Sequence, residues 1–297
     1  MSQGRIRLSA CVLAGLALAG CSVNLSAEKL VRREEQRFTV SGRPEIVLKT
    51  FDGAIRVDSW DRPEVLVTIE RQAGDEHSLK SIEVKSDQAG NRISVEVLKP
   101  EQKGSIDIGM HVGRSAALIV SVPRDADVSA RSGDGAVTIE NIAGRLDVNT
   151  GDGAVSVRRS VGDLVVHTGD GAVALEDVRG QVELNTGDGA VKIDGVLQRV
   201  KARTGDGAIV VRASDGSAAA ADWDLETGDG GVTVGLPAAF GAELDARSND
   251  GRVTVNGFDM TGATRDDENR EVKGRIGSGG SRLTIRTGDG GITVARN

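Results

Sequence analysis

The chain has 297 residues, 37 Lys and Arg against 44 Asp and Glu, a formal charge of −7, 40 Gly, 5 Pro and 2 Cys. Acids and bases are interspersed, so no basic stripe is available for phosphates, and two Trp, four Phe and no Tyr leave few stacking platforms for bases; both points argue against nucleic acid as a partner. Plentiful Val, Ile and Leu exclude a collagen-like or disordered chain, so the glycines belong at defined turns.

Residues 1–20 read as a lipoprotein signal peptide. Arg5 and Arg7 precede the apolar run 8–19, and no acid occurs before Glu28. Twelve residues as a helix cover about 18 Å, short of the roughly 20 residues that cross a bilayer. The run is therefore an export signal, not a spanning helix. Its end, Leu18-Ala19-Gly20-Cys21, resembles the lipobox of bacterial lipoproteins. That resemblance implies cleavage before Cys21 and lipid attachment to its thiol, with Ser22 in place of Asp pointing to the outer membrane. Ordinary cleavage near Ala27, discarding Cys21, is the alternative. Each acyl CH₂ contributes about 0.8 kcal/mol on burial, so two or three chains hold a soluble domain on a membrane. Cys11 leaves with the signal and Cys21 is capped, so no thiol pair remains for a disulfide or a metal.

Residues 21–36 are polar and read as a tether. Residues 37–128 are strand-rich but irregular, with EIVLKTFDGAIRVDSW, EVLVTIE, SIEVKS, RISVEVL and AALIVSVP, and read as an N-terminal β-strand cap. Residues 129–297 carry a repeat. SGDGAVTI begins at Ser132, and TGDGAVSV, TGDGAVAL, TGDGAVKI and TGDGAIVV follow at Thr150, Thr168, Thr186 and Thr204, a period of 18 residues. Looser copies start at Thr227, Ser248 and Thr287, after intervals of 23, 21 and 39, and a lone early copy starts at Thr50. The charged, glycine-rich segment 256–281 reads as a loop insertion that protrudes from the array.

Within a unit Val155 and Val157 alternate with Ser156, and Leu164 and Val166 with Val165 and His167. This period of two marks strands with one buried face. Each unit is two short strands, one turning at Gly-Asp-Gly. Asp tolerates the left-handed region there and bonds nearby backbone, and Gly enters it without steric cost. A meander of hairpins and a flattened solenoid both fit. The solenoid is favoured because five-residue strands are too short for a membrane barrel, whose strands need about 9 to 11 residues. The expected fold is all-β: a flattened single-chain β-solenoid of 18-residue two-strand coils. Eight or nine circuits at about 4.8 Å each make a rod of roughly 40 Å. One coil cannot bury enough by itself; stacking on neighbours completes its core.

Thr50 to Val65, TFDGAIRVDSWDRPEV, a strand ending in Val122-Pro123 and the serial GDGAV copies together resemble a bacterial envelope family. It is a domain-of-unknown-function family of β-strand repeats often labelled "putative adhesin". The similarity runs from about Phe38 to Val294. It implies an exported, solenoid-like, non-catalytic protein with no assigned substrate. The long interval 256–286 departs from the usual pattern.

The conspicuous candidate site is an aspartate file, Asp134, Asp152, Asp170, Asp188, Asp206, Asp229 and Asp289. Its first reading is turn structure, its second a weak cation or ligand ladder. Calcium takes six to eight oxygens, whereas each turn offers one carboxylate plus carbonyls. The threonines that open the copies read as a structural ladder rather than an ice- or sugar-binding array. His77, His111 and His167 are scattered, and no Walker, G-x-S-x-G or H-E-x-x-H pattern occurs. Asp259, Arg265, Asp266, Asp267 and Arg270 fall in the insertion and read as solvated charge, and Trp223 occupies an apolar slot. No catalytic residue, metal or cofactor is expected. The function expected is a non-enzymatic, lipid-anchored cell-envelope module, an adhesin or scaffold, whose partner is a glycan, an envelope protein or a second copy. The rival is a carbohydrate-active β-helical enzyme or a calcium-dependent glycan binder.

Overall fold

A computed structural model describes residues 29–99 and 113–297. The signal segment, Cys21 and His111 lie outside the described residues. Among those described are twenty-three strands and one short helix, Glu76–Lys80.

The 18-residue repeat forms parallel coils in perfect vertical register. Leu146 sits beside Leu164, Val148 beside Val166 and Thr150 beside Thr168 on one face. On the other, Val155 pairs with Val173 and Val157 with Leu175. The same offset carries the first face from Asp127–Ser132 through Leu146–Thr150 and Leu164–Thr168 to Trp223–Thr227. It carries the second from Val137–Glu140 through Val155–Arg158 to Ile209–Ala213 and Val232–Leu236. Alternation turns every second side chain inward, and the two faces close on one aliphatic interior that runs the length of the stack. The chain is an all-β solenoid.

Both ends depart from chain order. The early copy is not isolated: Glu45–Thr50 and Ile55–Trp60 stack in parallel directly on Asp127–Ser132 and Val137–Glu140. Beneath them lies a further coil, Arg92–Val97 and Ser115–Pro123, later in sequence but outer in space. The irregular region 37–128 thus contributes two coils of its own. Antiparallel strands finish that end: Val84–Ala89 on one face, Glu64–Ala73 followed by Leu30–Thr39 on the other.

Leu30–Thr39 corrects the tether expected over 21–36. Its side chains are polar because it is an edge strand, where charge discourages pairing with other chains. Arg33 Nε donates to Glu70 at 2.8 Å and Arg32 to Glu76 at 2.7 Å, so its charges are matched by the neighbouring elements.

At the opposite end the last copy in sequence is not the last in space. Arg282–Thr287 lies between Trp223–Thr227 and Ala242–Ser248, and Ile292–Arg296 lies between Val232–Leu236 and Val253–Asn256. The segment 256–281, expected as a protruding loop, is the connection that makes this possible. It forms Met260–Arg265 and Glu271–Ile276, an antiparallel pair whose second strand closes the edge of Ala242–Ser248. Glycine and charge hid the strand pattern, because only Val272 and Ile276 face the interior.

Candidate functional site

The repeated octapeptide builds one corner of the solenoid. Every opening Thr or Ser is buried, and its hydroxyl donates backward to the corner of the adjacent coil. Thr168 Oγ1 lies 2.9 Å from the Gly151 carbonyl and 3.1 Å from that of Gly153; Thr186, Thr204, Thr227 and Thr287 repeat the arrangement. The threonine file is therefore internal mortar, with no hydroxyl face toward solvent. Thr186→Val is expected to cost about 1–2 kcal/mol in urea denaturation, because it strips a donor from the buried carbonyls of Gly169 and Gly171 without changing shape.

The glycines of Gly-Asp-Gly answer to a different constraint from the one expected. In the copies from Ser132 onward neither glycine has a positive φ. Side-chain volume is what the corner cannot accept. A Cβ on Gly171 would stand 2.6 Å from Thr168 Oγ1 and 2.7 Å from the carbonyl carbon of Gly153, and the same holds at Gly153 and Gly189. The first glycines donate their N–H along the stack, Gly169 to Gly151 and Gly187 to Gly169, so the backbones nearly touch. Left-handed backbone occurs instead at the opposite corner, at Asn141, Arg159 and Asp177 and at Gly162 and Gly180.

Asp134, Asp152, Asp170, Asp188, Asp206, Asp229 and Asp289 form one exposed file along this corner. Stacking order places Asp289 after Asp229 and adds Asp52 and Asp250 at the two ends. These last two escaped sequence reasoning because their copies read TFDG and SNDG and their positions follow space, not chain order. Each carboxylate leans along the stack; Asp152 Oδ1 packs over Gly169, a further reason for glycine there. The expected bond from each Asp to local backbone is not what forms; Thr supplies the corner's side-chain bonds. Neighbouring carboxylates one coil apart repel by about 0.9 kcal/mol in water, less with salt. Among the described residues no group of three or more potential metal ligands comes together.

The outer sides of the two faces differ. The second face presents small residues, with Ala136, Ala154, Ala172, Ala190 and Ala208 in file beside the corner. The first face carries the open grooves. One of about 330 Å³, near the N-terminal end, is neutralised internally. Asp127 there accepts from Arg43 and from the Arg145 N–H at 2.7 Å. Burial pushes its carboxyl up, but those two donors and their charges outweigh burial and hold it below the usual carboxylate range. Two others, of about 610 Å³ and 530 Å³, lie toward the C-terminal end and share Arg286. In the second of these Lys273 pairs with Glu271, which raises the lysine and lowers the carboxylate from their ordinary values.

The remaining sequence candidates are dispersed. His77 lies on the helix Glu76–Lys80 and His167 on the first face, both exposed. Asp259, Arg265, Asp266, Asp267 and Arg270 belong to the terminal hairpin and its flanks. Asp266 caps the turn by accepting the Glu271 N–H at 2.8 Å, and Arg270 donates to the Asn249 carbonyl at 2.9 Å. Trp223 is wholly buried, edge-on to Phe240 with ring centroids 5.1 Å apart, and its Nε1 donates to the Gln198 carbonyl.

A family model described as Toastrack DUF4097 matches residues 44–295. Among solved structures, a "putative adhesin" from Parabacteroides merdae is 12% identical over 89% of this chain and 96% of its own, with a TM-score of 0.46. One from Bacteroides fragilis, named in the same words, is 12% identical over 90% and 97%, with a TM-score of 0.45. A "putative cell adhesion protein" from Clostridium sporogenes is 13% identical over 90% and 100%, with a TM-score of 0.29. No curated protein matches the chain.

Proposed function

The chain belongs to the Toastrack DUF4097 family, and from that premise we propose that it is a non-enzymatic, lipid-anchored module of the bacterial cell envelope that binds through its outer faces. The observation that carries this reading is the stack itself. It presents side chains at a fixed spacing on two long outer faces, so one weak contact recurs many times, as suits a repetitive partner. The chemistry-bearing residues are spread along that surface instead of converging, whereas catalysis needs groups held in fixed mutual geometry. The names of the solved relatives point the same way.

The anchor rests on Leu18-Ala19-Gly20-Cys21 and on the place where the described chain begins. Leu30–Thr39 is the outermost strand of one end, so a lipid on Cys21 would hold the solenoid by that end. Labelling cells with an alkyne-tagged fatty acid tests it. The native protein is expected to take up label and fractionate with the outer membrane, and Cys21→Ala to lose both; equal label in the two chains would defeat the anchor. Screening residues 22–297 against envelope glycans tests the binding reading, and reproducible depolymerisation there would overturn the non-enzymatic assignment.

The aspartate file supports turn structure first and a cation ladder second. Thermal melts in calcium and in chelator are expected to share one midpoint, because single exposed carboxylates one coil apart supply far fewer than six oxygens. A calcium-induced rise of several degrees would instead establish the ladder.

A further inference from the structure

The larger C-terminal groove on the first face exists because the repeat is broken twice. The interval of 23 residues before Thr227 admits the segment 214–222, pinned to the coil below it by Ala218 N–H to the Leu197 carbonyl and Ala220 N–H to that of Gln198, both 3.1 Å. The intercalated coil then brings Arg282 and Arg286 alongside Arg199 and Lys201. Two carboxylates line the same groove, and both are committed. Asp224 is held by Arg203 at 3.2 Å, and Asp222 accepts the Arg282 backbone N–H at 2.9 Å. Among the described residues Arg199, Lys201, Arg282 and Arg286 have no carboxylate within 4.0 Å. A chain of charge −7 thus holds four cations together without internal neutralisation. The groove near Asp127, on the same face, shows the ordinary outcome, with its charges matched in pairs.

Arg286 also lines the neighbouring groove, whose Arg247 likewise lacks a carboxylate within that distance. The two grooves therefore join into a track across five strands, from Arg199 to Arg247, roughly 20 Å long. From this juxtaposition we infer that the track is a binding site for an acidic polysaccharide, its carboxylates or sulfates held by Arg199, Lys201, Arg282 and Arg286. The inference rests on the reading of the chain as an envelope-held binding module and names the ligand class of that module.

The chemistry favours this class over others. Guanidinium forks match carboxylate and sulfate oxygens in bidentate fashion, and charge-assisted bonds are the strong ones in water. A track suits a polymer better than a small ion. The only aromatic side chain at the groove, Trp223, is fully buried, so no ring is offered to a neutral sugar or a base. Beyond the track the same face carries Asp147, Asp163, Glu183 and Glu243. A duplex with one charge per about 1.7 Å would be repelled by them, whereas sparsely charged sugars fit between.

The test measures binding of the native-length mature chain to polygalacturonate, to a neutral galactan and to duplex DNA. The double variant Arg199→Gln/Arg282→Gln is compared with Arg212→Gln on the opposite face; all three arginines are solvent-accessible, and circular dichroism checks that the variants fold. Polygalacturonate is expected to bind, more weakly as salt rises, with about tenfold loss in the double variant and none in Arg212→Gln. Equal affinity for native chain and double variant, no binding to polygalacturonate, or equal retention of the galactan or the DNA would each overturn the assignment. Fractionation of the same variants separates the two readings. A groove variant that keeps native affinity while remaining in the envelope refutes the site and leaves the module intact, and a native chain absent from the envelope refutes the module.

Discussion

Gly171→Ala is expected to destabilise the solenoid by about 3 kcal/mol or more, although it adds one methyl group at a surface corner. The methyl would sit 2.6 Å from Thr168 Oγ1 and 2.7 Å from the Gly153 carbonyl carbon, and neither can retreat. Thr168 is fixed by its bonds to Gly151 and Gly153, and the Gly153 backbone belongs to a coil locked in register on both faces. The strain can be relieved only by prising two coils apart, which costs ladder bonds and opens the aliphatic interior. Ala172→Ser, one residue along but exposed, should change stability by no more than about 0.5 kcal/mol. Guanidinium unfolding of both variants checks the pair. A Gly171→Ala midpoint matching that of Ala172→Ser would mean that close coil contact is not what the glycine serves.

Deleting residues 282–297 is expected to unfold far more than the segment removed. In a solenoid read in chain order, loss of the last copy would shorten the rod by one coil. Here it removes a coil with neighbours on both sides, so Trp223–Thr227 loses its partner above and Ala242–Ser248 its partner below. Leu225, Leu244 and Ala246 would then face water where they now face Leu283 and Ile285. Because repeat proteins are held by nearest-neighbour interfaces, the outer coil and its hairpin have nothing else to stand on. Hydrogen exchange should show protection lost throughout 242–276 as well as on the upper side of Trp223–Thr227. Coils from Asp127 to Thr204 should keep native protection. Continued slow exchange in Ala242–Ser248 would show that the two flanking coils can rejoin without the missing one.

The solenoid was legible because its signal is local. Alternation in Val155-Ser156-Val157 and the fixed offset of the Gly-Asp-Gly copies are properties of adjacent residues, and vertical stacking follows from them. The order of the coils was not legible, because it depends on long connections. Nothing in TFDGAIRV says that a later segment lies beneath it, and nothing in TGDGGITV says that it is flanked by two earlier ones. The tether and the protruding loop were misjudged for a related reason: Leu30–Thr39 and Met260–Arg265 are edge strands with little to bury, so they lack the hydrophobic alternation by which strands are recognised. Among site residues, the aspartate file was visible apart from its two ends. The cation track was invisible, since Arg199 and Arg282 become neighbours only through the displaced last coil. The reason for glycine also lay beyond the sequence, because the obstacle at Gly171 is backbone 18 residues away.

The burial of the final strand pair inside the stack also bears on biogenesis. A ribosome delivers the amino-terminal part first, and most domains mature in that direction. In this protein the section from Trp223 onward lacks its keystone until Arg296 has been made, whatever the speed of translation. The early coils can condense while the chain is still growing, but the distal third must wait for release.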